Sequence, residues 1–426
     1  MDTTRRTRSC RREREGKGER EHRRLHRQLC VPMTRQEYDQ IWHDARAMRI
    51  FLDEKYEEHP ELFPASMASG YELSGFLPES KKMAGVRFRQ LRTGGVAYGV
   101  RPSFVMPYMS GTTEKLDHPL FLYSLGVPYW ALTRVFGHND MYWHRHIERL
   151  GRNSIVGTTV QSAATLPRYL AADEHHADWC GEKGYIPMTV GGGCILGIAL
   201  TSGADEESLT DAYSTFSEES NDLDPSYAPE TINTDGWAAT QNAFVSLFPT
   251  VTTILCFLHG FLKIKDRGRK LHDLHRAVWD VYRETTAEGF ISSMKSLVET
   301  CRAEHWSPLI MQSIEKLAAR VDQYAKSYAH PDCLRTSNMV DRLMNRLTRS
   351  LYHGRGIHGH QNSSELTLRG WALIQNFRDF APRAGDTRSF SSPAHRLNQK
   401  RYHENWLQNL NISASRRGLR GGLAST

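Results

Sequence analysis

The chain has 426 residues, of which 39% are apolar, so it is long enough for two or three domains with buried cores. Its formal charge of +7 does not by itself identify a nucleic-acid-binding protein, because residues 1–30 hold eleven Lys or Arg against five Asp or Glu and the remainder is nearly neutral. Seven cysteines without a CxxC pair or regular spacing favour a reducing compartment and argue against a secreted, disulfide-rich class.

The N-terminal third begins with a charged segment. Residues 1–34 are poor in apolar side chains, so we expect a basic disordered tail, with a DNA-contacting arm as the alternative. Residues 35–110 follow as a small region. Helical spacing between Tyr38 and Tyr56 precedes an alternating pattern around a Gly-Gly turn, which predicts a helix and then a hairpin.

Residues 111–153 contain three short helical segments, separated by Gly and Pro residues of the kind that end one helix and begin the next. The third segment has an apolar face and a polar face, and the polar face carries Tyr142, Arg145, His146 and Arg149. This arrangement indicates a helix-turn-helix DNA-binding domain whose last helix enters a major groove. An ordinary packing unit of three helices explains the same spacing, and both interpretations remain open.

Residues 155–380 show a strand, a hairpin and then alternating helices and strands, which predicts an α/β fold with a mixed sheet covered by helices. Within them, residues 269–335 are helical in period and are expected to form an all-helical insertion. Two more helices are predicted over residues 336–352 and 365–377. Residues 381–426 lose periodicity and are expected to form a flexible tail.

Two acidic residues of this region, Asp173 and Asp235, each end a predicted buried strand. Carboxylates at adjacent strand ends repel one another and lose hydration, so a divalent cation stabilises such a pair. Each residue also has a structural alternative: Asp173 as a helix cap or loop residue, and Asp235 as the first residue of an Asp-Gly turn. Their shared position at strand ends of one sheet favours the metal site.

The segments LAADEHHADW, INTDGWAATQNAF and CFLHGFLKI resemble Mutator-like and related bacterial insertion-sequence transposases of the DDE superfamily. The resemblance covers roughly residues 168–377. It implies a ribonuclease-H-like core with a helical insertion before the final acidic residue, and catalysis by Asp173 and Asp235. It also implies a Cys-x-x-His pair, here Cys256 and His259, with a structural role beside the active site; half of a zinc site is the alternative.

The third acidic residue departs from the Asp, Asp and Glu pattern of that superfamily. The expected helix context is matched by TSNMVDRLMNRL, in which the acidic residue is Asp341. Glu365 is the alternative third acid, since it has the expected residue type but follows a Gly-rich loop. A structural explanation of Asp341 is an ion pair with Arg342, Arg346 or Arg349. The catalytic metal ligands are therefore expected to be Asp173, Asp235 and Asp341, with Mg²⁺ as cofactor and Mn²⁺ able to substitute.

The resemblance implies a DNA transposase that cleaves and transfers strands at transposon ends. Its partners would be the terminal inverted repeats and the target DNA, and it would act as a homo-oligomer on DNA. Three rival functions remain: another ribonuclease-H-like DNA nuclease, a transposase-derived DNA-binding regulator, and a metal-dependent hydrolase of small substrates. The most apolar segment, residues 250–264, is interrupted by His259 and Lys263 and is too short to cross a bilayer, so a cytoplasmic, nucleoid-associated protein without membrane contact is expected.

Overall fold

The computed structural model describes residues 27–268, 271–354, 356–382 and 389–416. The chain divides into two compact units, of which the first comprises Met1–Thr165 with Asn362–Thr426 and the second comprises Leu166–Gln361. Each unit contains helices and one mixed sheet, so the protein is a mixed α/β protein. Within the described residues, no helix combines the length and apolarity that crossing a membrane requires.

The first unit opens with a four-stranded sheet in the order β1-β4-β3-β2. Its strands and the two helices beside them are β1 (Gln28–Val31), α1 (Arg35–Ile41), α2 (Ala45–Glu58), β2 (Glu72–Phe76), β3 (Arg89–Thr93) and β4 (Val96–Pro102). The β3–β4 hairpin turns at Gly94 and Gly95, whose positive φ angles favour glycine. The Gly-Gly hairpin is thus confirmed, whereas the single helix expected between Tyr38 and Tyr56 is divided into α1 and α2 at residues 42–44.

The end of the segment expected to be a disordered tail is a buried strand. Strand β1 pairs in parallel with Gly99–Pro102 of β4, and its residues Leu29 to Val31 are at most 1% exposed. Their hydrogen-bonding partners lie about seventy residues away in sequence, which local composition does not reveal. The expectation for residues 1–34 is therefore wrong over Gln28–Val31, and residues 1–26 lie outside the described residues.

Three helices follow where three were expected, with a short fourth helix after them. They are α3 (Thr113–Ser124), α4 (Tyr129–Phe136), α5 (Asp140–Gly151) and α6 (Ile155–Thr159). Helix α4 begins directly after Pro128, and Gly137 follows it at a φ of +78°. Asn139 then caps α5, because its side chain accepts a hydrogen bond from the Tyr142 N–H at 2.9 Å.

The second unit is built on a five-stranded sheet in the order β7-β6-β5-β8-β9. Its first elements are β5 (Tyr169–Trp179), β6 (Glu182–Gly191), β7 (Cys194–Ile198), α7 (Glu206–Leu223), β8 (Thr231–Thr234), α8 (Ala238–Leu247) and β9 (Thr252–Leu255). Strands β5, β6 and β7 are antiparallel neighbours, whereas β5, β8 and β9 are parallel. The predicted hairpin and the alternation of helices and strands are confirmed.

Strand β5 is longer than the sequence predicts. It was expected to end at Asp173, but its pairing with β6 continues to Trp179. Its parallel pairing with β8 stops earlier, at Ala171 opposite Asn233. Asp173 therefore lies inside a strand rather than at its end, just beyond the last residue that pairs with β8.

In the described part of the segment between β9 and the last helix of this unit there are five α-helices, and a single cluster of buried side chains joins them. They are α9 (Phe257–Arg267), α10 (His272–Arg283), α11 (Ala287–Ala303), α12 (Pro308–Ala318) and α13 (Val321–Ala325). Helix α14 (Asn338–Gly354) then packs against β5 and β6. The helical period predicted for residues 269–335 is confirmed where the structure describes them.

The described C-terminal part of the first unit contains helices, so the expectation of a flexible tail over residues 381–426 is wrong there, while residues 383–388 and 417–426 lie outside the described residues. It contains α15 (Gln361–Phe377), of which all but the first residue belongs to this unit, followed by α16 (Pro393–Asn398) and α17 (Trp406–Ser413). Asn398 shows why composition misleads here: its amide donates to the Thr159 carbonyl at 2.8 Å and accepts from the Gln161 N–H at 2.7 Å. Hydrogen bonds of this kind allow polar residues to be buried without loss of stability.

Candidate metal centre

Asp173 lies in β5, where successive side chains point to opposite faces of the sheet. Its Oδ1 accepts a hydrogen bond from the Glu174 N–H at 2.9 Å. Burial, followed by the charges of Glu174, Asp235 and Asp341, raises the pKa of Asp173 to about 7 although that hydrogen bond opposes the change. A carboxyl group with this raised pKa is only partly ionised at neutral pH. A cation close to Asp173 would stabilise the ionised form.

Asp341 lies in the first turn of α14 and is held by the residue one turn earlier. The hydroxyl of Ser337 donates to Asp341 Oδ2 at 2.9 Å, and the Asp341 N–H donates to the Ser337 carbonyl at 3.0 Å. Among the described residues, no ion pair joins Asp341 to an arginine of its own helix. The structural explanation of Asp341 as a partner of Arg342, Arg346 or Arg349 is therefore wrong.

Ser337 also connects Asp341 to Cys256 and His259. Cys256 precedes α9, and its Sγ lies 3.2 Å from the Ser337 hydroxyl oxygen, which lies 3.5 Å from His259 Nδ1. Burial raises the pKa of the Cys256 thiol, but hydrogen bonds with His259 and Ser337 outweigh it and leave that pKa below its usual value. The pKa of His259 is raised to about 9, mainly by the hydrogen bond with Cys256. The charges of Cys256, Asp341 and Asp173 raise it further, whereas burial lowers it.

Asp173, His259 and Asp341 form a group with the spacing of metal ligands. One ligand atom from each side chain lies within 4.8 Å of the other two. A divalent ion with ligand distances of roughly 2.0 to 2.6 Å holds its ligands this close together. The two carboxylates suit Mg²⁺ or Mn²⁺, and an imidazole nitrogen adds affinity for transition metals. The residues present therefore fit a divalent cation.

Asp235 is level with Asp173 but is not one of these three side chains. The parallel pairing of β5 and β8 ends at Ala171 opposite Asn233, so Asp173 and Asp235 each lie two residues beyond the last paired residues. Asp235 Oδ1 accepts a hydrogen bond from the Trp237 N–H at 2.9 Å, across Gly236 with its φ of +97°. Asp235 thus has the geometry of the Asp-Gly turn while its charge raises the pKa of Asp173.

Two residues near this group were missed in the sequence, Ser337 and Glu174. Glu174 Oε1 accepts hydrogen bonds from the Tyr213 hydroxyl at 2.6 Å and from the Thr240 hydroxyl at 2.7 Å. Burial raises the pKa of Glu174, and the charge of Asp235 adds to this effect, although the two hydrogen bonds oppose it. Glu174 thereby ties β5 to α7 and α8 on the opposite face from Asp173. In the sequence, the only feature that could have indicated Glu174 is that it is an acidic residue next to Asp173. The only feature that could have indicated Ser337 is its place one turn before Asp341.

The four residues expected to read DNA differ in exposure. Arg145 is exposed, Tyr142 and Arg149 are half-buried, and the guanidinium of Arg149 lies 5.4 Å from the ring centre of Tyr108. His146 is only 1% exposed, so its ring does not belong to the polar surface of α5 and this part of the expectation is wrong. Burial, and then the charge of Arg149, lowers the pKa of His146 to about 3.

Glu365, the alternative third acid, lies in α15 and belongs to the first unit. Asp173, Asp235 and Asp341 all belong to the second unit. The group with ligand spacing thus contains Asp341, whereas Glu365 is not part of it.

Comparison with known proteins adds no further assignment. No protein-family model matches the chain, and no curated protein matches it as a relative. Function is therefore inferred from the geometry of the metal centre and from the sequence resemblance.

Proposed function

We propose that the protein is a DNA transposase of the DDE type, with a ribonuclease-H-like core that cleaves and joins DNA strands with the aid of divalent cations. The observation that carries this proposal is the group formed by Asp173, His259 and Asp341, with Asp235 directly after β8, the parallel neighbour of the strand that carries Asp173. The mixed sheet β7-β6-β5-β8-β9 and the helices between β9 and α14 support it, because the resemblance implies a mixed sheet with a helical insertion before the final acidic residue.

Asp173 and Asp341 would hold the cations, with Asp235 completing the carboxylate set expected from the sequence. When bound, such ions activate a water or a DNA 3′-hydroxyl and stabilise the leaving oxygen at phosphorus. Ser337 orients the Asp341 carboxylate through its 2.9 Å hydrogen bond. His259, whose pKa is raised to about 9, supplies a positive charge beside the same carboxylates and so limits the repulsion between them. It would have to lose that proton before it could act as a nitrogen ligand.

The test compares Asp341→Asn with Glu365→Gln. The substrate is a supercoiled plasmid carrying the inverted repeats that bracket the gene, in the presence of Mg²⁺ or Mn²⁺. We expect Asp341→Asn to lower the rate of cleavage by roughly 100-fold or more while DNA binding is retained, because the carboxylate ligand becomes a neutral amide. Glu365→Gln should cleave normally. Asp178→Asn is the control, since Asp178 is an exposed acid of the same strand as Asp173.

Loss of cleavage in Glu365→Gln alone would move the third acid to that residue. Normal cleavage by both variants would remove Asp341 from the site. A second assay follows the joining of a pre-cut repeat end to a target plasmid. Cleavage without joining would reassign the protein to the ribonuclease-H-like nucleases, which use the same metal chemistry but do not transfer strands.

A further inference from the structure

Three arginines form one face of α14, starting directly after Asp341. Arg342, Arg346 and Arg349 are spaced four and three residues apart, so they lie within a sector of roughly 60° and occupy successive turns. The buried side of the same helix is formed by Val340, Leu343, Met344 and Leu347. We refer to Arg342, Arg346 and Arg349 as the arginine face.

The arginine face is exposed and has no acidic partner within the described residues. Three other exposed arginines of the same unit do have acidic partners: Arg276 with Asp273, Arg283 with Asp280 and Arg302 with Glu315. Partial desolvation, and then the like charges of Arg342 and Arg349, lower the pKa of Arg346. Three neighbouring guanidinium groups repel one another, and an anion bound across them relieves that repulsion.

An exposed aromatic ring extends the arginine face at its far end. Tyr352 lies one turn after Arg349 and its side chain is 81% exposed. Surface arginines followed by an exposed aromatic ring combine the two features that bind single-stranded nucleic acid, namely positive charge for the backbone and a flat ring for a base. An acidic peptide would use the charges but not the ring.

We infer that the arginine face binds the phosphate backbone of the DNA strand that enters the metal centre, and that Tyr352 stacks on a base of that strand. This inference rests on the proposed function, since it assigns the surface that guides the substrate to Asp341. Arg342 to Arg349 spans about 10.5 Å along the helix axis, so the three guanidinium groups follow an extended anion better than a single phosphate.

The experiment measures binding of a fluorescein-labelled 20-nucleotide single strand, and of the matching duplex, to the full chain in EDTA over a range of salt concentrations. Replacing all three residues of the arginine face with Gln should weaken single-strand binding at least about tenfold. The salt dependence should also fall, by roughly 0.7 in log–log slope for each arginine, because fewer counterions are released. Tyr352→Ala should weaken binding by roughly 5- to 150-fold, whereas Tyr352→Phe, which keeps a flat ring, should bind normally.

The control replaces Arg276, Arg283 and Arg302 with Gln, which removes the same charge from arginines that have acidic partners. This variant should keep the parent's salt slope. An unchanged slope in the arginine-face variant would overturn the inference, and if Asp341→Asn still abolished cleavage the proposed function would survive. A parent chain that neither bound nor cleaved DNA would overturn both. Equal losses in the two triple variants would show that total charge rather than the arginine face binds DNA, which also overturns the inference.

Discussion

At the scale of single residues, the burial of His146 in α5 has a consequence for stability. Its folded-state pKa of about 3 lies far below the ordinary value near 6.5. Between these two values the unfolded chain binds a proton at His146 that the folded chain does not. The contribution of His146 is therefore fully present above pH 6.5 and is lost as the pH falls, by up to about 1.4 kcal/mol for each pH unit.

We predict that His146→Leu weakens the dependence of stability on acid. The parent and the variant are unfolded in urea at pH 7 and at pH 5, and tryptophan fluorescence is followed. The free energy of unfolding should decrease from pH 7 to pH 5. This decrease should be about 1 to 2 kcal/mol smaller in the variant than in the parent, since the leucine binds no proton. His118→Leu, at an exposed histidine of α3, is the control and should behave as the parent does. Identical acid dependence in parent and His146→Leu would mean that His146 is accessible to protons in the folded chain.

At the scale of elements, helices α5 and α15 cross at two glycines. A Cβ atom at Gly151 would meet the Leu366 carbonyl, and one at Gly370 would meet the Ile147 carbonyl. The two backbones therefore touch directly. Arg369 of α15 strengthens the crossing, because its guanidinium donates to the carbonyls of Gly151 and Asn153, both at 3.0 Å. Both helices belong to the first unit.

We predict that Gly151→Ala and Gly370→Ala each lower the free energy of unfolding by about 3 kcal/mol or more, because the new methyl group meets backbone that cannot yield without separating the helices. Urea unfolding measures the change. Gly354→Ala is the control: Gly354 ends α14 with no atom within 4 Å of the new methyl, and alanine there should be neutral or stabilise by up to about 1 kcal/mol. A small loss at Gly151 would show that the crossing is looser than described.

Elements with a clear period were predictable, and those defined by distant partners were not. The helices of the insertion, the β3–β4 hairpin and the succession of strands and helices along the second unit follow from local apolar spacing. Strand β1 and helix α17 do not, because pairing with residues far along the chain buries them. His146 belongs with these failures: it lies at the edge of the apolar face of α5, and whether an edge residue is covered depends on packing that its own helix does not encode.

The metal centre was predictable in part. Asp173 and Asp341 were recognised by motif, and the structure brings them together. His259 was expected beside the active site in a structural role, but its place among the atoms with ligand spacing was not foreseen, since it depends on how α9 leaves β9 and on the contact of Ser337 with Cys256. The catalytic roles of all these residues remain predictions, as does DNA binding by Tyr142, Arg145 and Arg149.

At the scale of the whole molecule, a metal ion is expected to stabilise only one of the two units. All three side chains of the ligand group belong to the second unit. An ion at 100 times its dissociation constant stabilises the folded form that binds it by about 2.7 kcal/mol. This stabilisation should slow the local opening of the elements that carry the ligands, which are β5, α9 and α14.

We predict that Mn²⁺ slows hydrogen exchange in β5 and at the start of α14 and leaves exchange in β1 to β4 unchanged. Mass spectrometry of the full chain with and without Mn²⁺ measures this effect peptide by peptide. Asp173→Asn should abolish the protection, because a carboxylate ligand is lost, whereas Asp178→Asn should retain it. Equal protection in both units, or protection that survives Asp173→Asn, would show that the ion binds elsewhere.

The alternation of side chains along β5 limits how this chain can change during evolution. Asp173 faces the metal centre and Glu174, the next residue, bonds to α7 and α8 on the other face. Loss or gain of a single codon between Leu170 and Asp173 would exchange the two acids and turn every later side chain of the strand to the opposite face. Substitutions in β5 can therefore change the site gradually, but insertions or deletions before Asp173 cannot. Related chains should differ in this strand by substitutions and not in its length.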